Sequence, residues 1–286
     1  MISVVIPAYN EEDAIVATIE AVRATFAEPR WAGYEIVVVD DGSTDRTGEL
    51  AAAAGATVVR HPANGGYGRS LKDGIAAARN DLIAITDADG TYPIDQLPRL
   101  YGEIEKGFDM VVGARTGEEY RESVVKSPLR KILKFLVEFT SGRRIADINS
   151  GLRIFRRSTV MPFFSHLCDT FSFTTSMTLA YLMTGRYISY LPIEYRKRIG
   201  KTKVRLFKDA LATLQYIVQA VLYYNPIKLF LFLSACVAVL SLMSFAAGAL
   251  AGIKAGYFLG LGGLLLTILI FSIGLLADLL RQIMAK

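Results

Sequence analysis

At 286 residues the chain has room for one α/β domain of ordinary size plus a membrane appendage. Hydrophobic residues make up 52%, with the excess towards the C-terminus, and the net charge is +5. The basic residues cluster at 196–208, just before long apolar runs, which points to a membrane surface and away from a nucleic-acid partner.

The first hundred or so residues alternate between strand and helix patterns. Residues 2–6 are an apolar run ended by Pro7, which reads as a strand entering a loop and not as a signal peptide, since no basic n-region precedes it. Residues 11–26 have helical spacing, and 35–39 form a second apolar run ended by Asp40 and Asp41. A short helix is expected over 45–54, capped by Ser43 or Thr44. Strands follow at 57–60, 82–86 and 109–112, with helices at 67–78 and 95–106. Such alternation builds a mainly parallel sheet with helices on both faces, and ligands bind beyond the carboxyl ends of its strands.

The middle of the chain, 127–186, is less regular. Residues 129–139 put Leu129, Ile132, Leu133, Leu136 and Phe139 on one helical face, suited either to a membrane surface or to the domain core. A second amphipathic helix is expected over 204–222. Two uncharged runs close the chain, 229–253 and 255–277, each long enough to span a bilayer. The divisions are therefore 1–203 for a catalytic domain, 204–226 for a juxtamembrane helix and 227–286 for a two-helix transmembrane hairpin.

Arg196, Lys197, Arg198, Lys201, Lys203, Arg205 and Lys208 precede the first span, Arg281 and Lys286 follow the second, and only Lys254 lies between them. The positive-inside tendency then places both ends and the first domain on the cytoplasmic side of a cell inner membrane or its equivalent. Cys236 lies within an apolar run, which argues against a disulfide with Cys168 and fits a reducing compartment. Gly248, Gly252, Gly256 and Gly260 recur every four residues, a spacing that supports close helix packing, including between copies in a homo-oligomer. Here the repeat runs through the turn, so part of it serves the turn.

Chemistry concentrates after three strands. Asp87 and Asp89 flank Ala88 in an extended segment, an alternation that lets two carboxylates converge on one side. Hard oxygen ligands of this kind suit Mg²⁺ or Mn²⁺, which share substrate phosphates and neutralise a departing diphosphate. Asp40 can accept hydrogen bonds from a base or ribose. Tyr9 can pack against a base, and Glu11 can accept from a sugar or base. The glycine-rich run 61–68 has the wrong spacing for a dinucleotide fingerprint and reads as a structural turn. His166 beside Cys168 is not a metal pair.

Pro7-Ala8-Tyr9-Asn10-Glu11, the run Asp-Asp-Gly-Ser-Thr-Asp at 40–45, and Asp87-Ala88-Asp89 together resemble the nucleotide-sugar half of the family 2 glycosyltransferases in order and spacing. The run Asn149 to Arg156 and Gly-Lys-Thr-Lys at 200–203 resemble the polyprenyl-phosphate branch. That branch includes dolichyl-phosphate mannose synthase and bacterial undecaprenyl-phosphate glycosyltransferases.

The resemblance implies a GT-A fold, a divalent metal, and inverting transfer from a UDP- or GDP-sugar to a dolichyl or undecaprenyl phosphate. It implies that Pro7, Ala8, Tyr9, Glu11 and Asp40 hold the nucleotide, with Asp87, Ala88 and Asp89 at the metal and diphosphate. Arg115 would face the diphosphate or the incoming phosphate. Ser150, Arg153, Arg198 and Lys203 look like phosphate contacts. Thr91 stands where mannose synthases often have Gln, and its hydroxyl is a third candidate metal ligand. Asp147 is a candidate to orient the phosphate or take a residual proton; its alternative is a salt bridge to Arg153 or Arg144. A membrane glycosyltransferase with another acceptor, or a nucleotide-sugar binding protein without turnover, are the competing readings. A processive synthase would carry Gln-x-x-Arg-Trp, and the single Trp is at position 31.

Overall fold

A computed structural model describes residues 1–120, 134, 135, 137–139, 141–198, 214, 215, 218, 219 and 221–284. The chain divides into two units, Met1–Ile217 and Val218–Lys286.

The first unit is built on a seven-stranded sheet. Strand β1 (Ile2–Ala8) is buried along its whole length, as a central strand covered on both faces must be. It pairs in parallel with β2 (Glu35–Asp40) on one side and β4 (Leu82–Ile85) on the other. Strand β3 (Thr57–Arg60) extends the parallel half beyond β2. Next to β4 lies β6 (Arg153–Arg156), antiparallel both to β4 and to β5 (Met110–Thr116), and β7 (Ile188–Glu194) closes the edge parallel to β5. The order is β3-β2-β1-β4-β6-β5-β7. This is the mainly parallel, mixed sheet of a GT-A fold. β1 has β2 on one side and β4 on the other, so the strand order reverses there, the place where open α/β sheets form a ligand crevice.

β1 runs two residues past its expected end at Ile6, through Pro7 to Ala8. Val5 O accepts from Thr86 N–H, whereas Ala8 O accepts from Asp41 N–H, so odd positions face β4 and even positions face β2. The nitrogen of Pro7 therefore points beyond the last β4 pair, Val5 with Ile85, where no donor is required. Helices α1 (Ile15–Thr25), α2 (Thr47–Ala53), α3 (Tyr67–Ala77) and α4 (Leu97–Glu105) follow strands β1 to β4. Three of them start later than expected, α4 because Ile94–Gln96 forms a 3-10 turn ahead of it. Residues 9–14 form a turn ahead of α1, and Ser43 and Thr44 do not cap α2. Those two side chains bond to Asn10 instead, and Asp45 accepts from Thr47 N–H at 2.9 Å. Trp31 packs edge-on between Phe26 and Tyr101 in the core.

The irregular middle and the stretch just after it hold elements that periodicity did not mark: β6, the short α5 (Arg157–Val160), α6 (Phe173–Met183) and β7. Helix α6 is buried from Phe173 through Leu182, and four Ser and Thr among these residues blur any apolar stripe. Pro192 sits in β7, an edge strand, where a missing N–H is tolerated. Most of the 129–139 and 204–222 segments lie outside the described residues.

The second unit is a hairpin of α7 (Pro226–Ala251) and α8 (Lys254–Met284). Both are long and apolar enough to cross a membrane. At 26 residues α7 extends about 39 Å, beyond the ~30 Å hydrocarbon thickness. Gly252 ends α7 in the left-handed region at φ 64°, where a side chain would be strained. The other glycines of the repeat lie on the seam between the two helices. An ideal Cβ on Gly256 would stand 2.7 Å from Ser244 O and 2.8 Å from Gly248 N, and one on Gly260 would meet the Phe245 ring at 2.6 Å. Three of the four glycines thus serve contacts inside one hairpin. Gly256→Val is expected to force the helices apart, lowering the thermal midpoint of the detergent-purified protein and exposing the 252–254 turn to protease. An unaltered midpoint and digestion pattern would refute this packing role.

Candidate active site

Three loops meet at the carboxyl ends of β1, β2 and β4. The first two are tied together by side chains. Asn10 adopts φ 50°, a conformation asparagine tolerates, and its Oδ1 accepts from Thr44 N–H at 2.8 Å. Glu11 N–H donates to Thr47 Oγ1 at 2.8 Å. Pro7 and Ala8 are buried within β1, while Tyr9 and Glu11 are half-buried at the crevice. Asp40 is mostly buried and accepts from Ser43 N–H at 3.0 Å.

Asp41, which the sequence reading left without a role, is a central anchor. It accepts from Gly65 N–H at 2.8 Å and Gly66 N–H at 2.9 Å, and pairs with His61 Nδ1 at 2.7 Å. The glycine-rich turn is thereby pinned to the end of β2. Gly66 stands at φ 102°, and a Cβ there would lie 2.7 Å from Asp169 O. The only cue in the sequence was the second Asp after the strand, and nothing local says that it turns inward.

In the third loop Asp87 and Asp89 are held in different ways. Asp87 Oδ1 accepts from the Tyr67 hydroxyl at 2.8 Å. Asp89, 2% exposed, has Oδ1 committed to Thr91 N–H at 3.1 Å and Thr91 Oγ1–H at 2.6 Å. Its Oδ2 lies 2.5 Å from Arg198 Nη2, a charge contact whose geometry does not align as a hydrogen bond. Ala88 is buried, and its carbonyl accepts from Thr18 Oγ1–H at 2.9 Å, fixing the loop to α1. Burial and the neighbouring Asp89 charge push Asp87 up to about 7, against the opposing pull of Tyr67, Arg198 and Arg115. Two carboxylates in such proximity suit a divalent cation. Among the described residues no three His, Cys, Asp or Glu side chains gather to hold a metal alone. That fits an ion of the Mg²⁺ or Mn²⁺ type, which takes one or two carboxylates and completes its shell from water and phosphate. Thr91 is buried beneath Asp89 with its hydroxyl already given to that carboxylate.

The end of β5 and the loop before β6 form a second cluster. Arg115 donates from Nε to Asp147 Oδ2 at 2.7 Å and from Nη2 to Oδ1 at 2.9 Å. Its guanidinium lies over the rings of Tyr120 and Tyr195, 4.9 and 5.4 Å from their centroids. Burial would raise Asp147, but the Arg115 charge and hydrogen bonds outweigh it and hold the carboxyl below its usual range. Its salt-bridge partner is thus Arg115 rather than Arg153 or Arg144, and a carboxylate held so low is a poor proton acceptor.

Ser150 and Arg153 are fully buried. Ser150 Oγ–H donates to Gly113 O at 2.6 Å. Arg153 donates to Ser150 O, Ile148 O and Thr178 Oγ1, each at 2.7 Å. The Ser150 side chain turns inward from the 147–151 loop and Arg153 lies beneath it, neither on its surface. Arg198 is brought to Asp89, and Lys203 lies outside the described residues.

The sequence profile of glycosyl transferase family 2 matches residues 3–163. The chain is 35% identical over 218 residues to the low-salt glycan biosynthesis hexosyltransferase Agl6 of Haloferax volcanii, covering 73% of this chain and 51% of that protein. It thus spans about half the length of that relative. It is 31% identical over 259 residues to undecaprenyl-phosphate 4-deoxy-4-formamido-L-arabinose transferase of Klebsiella pneumoniae, covering 87% of this chain and 75% of that one. Among solved structures it is similar in fold to glucosyl-3-phosphoglycerate synthase from Mycobacterium tuberculosis, seen with Mn²⁺, UDP and glucosyl-3-phosphoglycerate. The TM-score is 0.63 at 22% identity, covering 77% of this chain and 79% of the other.

Proposed function

We propose, for a chain that belongs to glycosyl transferase family 2, that it moves a sugar from a UDP- or GDP-sugar to a polyprenyl phosphate at the cytoplasmic face of a membrane. One observation carries this reading: the Asp87 and Asp89 pair stands at the carboxyl edge of the sheet in a chain that ends in two apolar helices of membrane-spanning length. The arabinose transferase relative, named for its undecaprenyl phosphate, supports the acceptor class. The basic residues ahead of the first span support the cytoplasmic orientation. The boundaries 1–203, 204–226 and 227–286 follow as catalytic, juxtamembrane and spanning parts.

In this reading Asp40, Tyr9 and Glu11 hold the nucleoside, with Pro7 and Ala8 shaping the floor beneath it. Asp87 and Asp89 hold Mg²⁺ or Mn²⁺. The ion, when bound, neutralises the negative charge that builds on the departing nucleoside diphosphate. Thr91 fixes the rotamer of Asp89. A lipid phosphate is already ionised near neutral pH and needs no strong base to attack the anomeric carbon. The protein's task is to bring two anions together. Arg198 is the half-buried cation suited to the acceptor phosphate, and Lys203 is proposed to assist it. Arg115 and Asp147 act as a pair that shapes the 147–151 loop, with Ser150 and Arg153 supporting it from below.

The test is transfer of labelled sugar from a panel of UDP- and GDP-sugars into solvent-extractable lipid, with undecaprenyl or dolichyl phosphate as acceptor. Label in the lipid phase, dependent on a divalent ion, is expected. No transfer from any donor to either carrier would overturn the proposal. Arg198→Gln is expected to raise the KM for the prenyl phosphate about tenfold or more, the size of one charge-assisted hydrogen bond, with the donor KM little changed. A shift confined to the donor KM would count against the acceptor role.

A further inference from the structure

The glycine-rich turn at 61–68 is left over from the reading above, since it binds no part of the donor or acceptor there. Its position is nevertheless defined at both ends. At one end Asp41 accepts from Gly65 and Gly66 N–H. At the other, Arg69 N–H donates to Asp169 O at 3.0 Å, and Lys72 Nζ pairs with Asp169 at 2.6 Å. Gly66 and Gly68 let the turn press against the backbone at 168–170, an approach that a Cβ at either position would block. Between them Tyr67 is carried to the third loop. Its ring stacks on Phe171, with centroids 5.7 Å apart and planes 19° from parallel. Its hydroxyl donates to Asp87 Oδ1 at 2.8 Å. On a further side of the same carboxylate the chain narrows to Gly151, where an ideal Cβ would lie 2.9 Å from Oδ1 and 3.0 Å from Oδ2. Gly151 is itself held by its N–H donating to the Tyr92 hydroxyl oxygen at 2.7 Å.

We propose that Tyr67 is a positioning residue for the divalent cation: its hydroxyl takes Oδ1 of Asp87 and so presents Oδ2 to the metal. The inference rests on the reading of Asp87 and Asp89 as metal ligands. A half-buried carboxylate with no fixed partner samples several rotamers, and each lost orientation weakens a ligand set of only two side chains. The turn supplies the missing constraint. It links the end of β2, through Asp41, Gly65 and Gly66, to a ligand on the loop after β4. Asp41, 25 positions before Gly66, and Asp87, 21 after it, are thereby joined through one hydroxyl. Outer partners of this type typically alter metal affinity by about tenfold to a hundredfold when removed.

Tyr67→Phe keeps the ring on Phe171 and deletes only the hydroxyl. Mn²⁺ is titrated into the detergent-purified full-length protein without donor or acceptor, and free Mn²⁺ is read by electron paramagnetic resonance. The Kd of Tyr67→Phe is expected to rise about tenfold or more, with the thermal midpoint held near that of the parent protein. Phe171→Leu, which loosens the ring and retains the hydroxyl, is expected to shift the Kd in the same direction by less. Asp89→Ala is the reference and is expected to abolish binding. If Asp89→Ala abolishes binding while Tyr67→Phe stays within twofold of the parent, the role of Tyr67 is refuted and the metal site stands. If Asp89→Ala binds Mn²⁺ as tightly as the parent, the metal assignment falls and the role of Tyr67 with it. A fall in midpoint of many degrees in Tyr67→Phe, with normal Mn²⁺ affinity at low temperature, would make the tyrosine a purely structural link and overturn the proposal.

Discussion

Asp89→Ala is expected to lower sugar transfer by on the order of a thousandfold or more, equivalent to about 4 kcal/mol of barrier. The carboxylate is buried, one of its oxygens is fixed by Thr91, and the other faces Arg198 at 2.5 Å. Alanine removes the negative charge from the place where a nucleoside diphosphate must be held and released. The fold should tolerate the change. The residue lies on a loop beyond β4, outside the apolar core, and its loss relieves the charge repulsion that raises Asp87. The cost to stability is the orphaned Thr91 donors, about 1–3 kcal/mol. Asp89→Asn separates charge from shape, because the amide oxygen still accepts from Thr91. It should be nearly as inactive as alanine while unfolding close to the parent temperature. Transfer of labelled sugar into lipid, beside thermal unfolding of the same preparation, checks both statements. Substantial turnover by Asp89→Asn would refute a charge-based role.

Arg153→Ala should act on stability and not on recognition of the lipid. The guanidinium is fully buried, and among the described residues no carboxylate lies within ion-pair distance. Burial pulls its pKa below the ordinary arginine value. What holds the side chain in place is hydrogen bonding to Ser150 O, Ile148 O and Thr178 Oγ1. Truncation leaves three acceptors without their donor and a cavity beneath the loop that contains Asp147. The expected loss is about 3–5 kcal/mol, which in a unit of this size corresponds to a fall of roughly 10 °C in the thermal midpoint. Arg153→Met fills the cavity without restoring the bonds and should lie between alanine and the parent. A normal midpoint with a raised KM for prenyl phosphate would instead place Arg153 in contact with the acceptor.

The parallel half of the sheet was legible because β1, β2 and β4 are apolar runs between turn residues, with Asp40 closing β2 and Asp87 and Asp89 on the loop after β4. The hairpin was legible for a related reason: an uncharged run of that length has few stable homes other than a bilayer. The antiparallel β6 was hidden because it opens on an arginine, and α6 because a helix buried on every side has no polar face to set its period. The glycine repeat was visible as a pattern, but whether it joined two helices of one chain or of two chains was a matter of geometry.

The order and type of the first four strands, the acidic residues at the ends of three of them and the two apolar helices were determined by the sequence alone. Each is a local property, set by the polarity of neighbouring side chains along the backbone. Which polar groups face the crevice and which lie beneath it was decided only by the tertiary structure. Asp40 and Asp41 are adjacent and alike, yet one borders the crevice and the other anchors a turn 24 residues later. Arg115, Arg153 and Arg198 are the same residue type, yet they meet a buried carboxylate, backbone carbonyls and a candidate metal ligand respectively. A charged side chain takes its role from the partner that satisfies it, and that partner comes from a distant segment which only folding brings near.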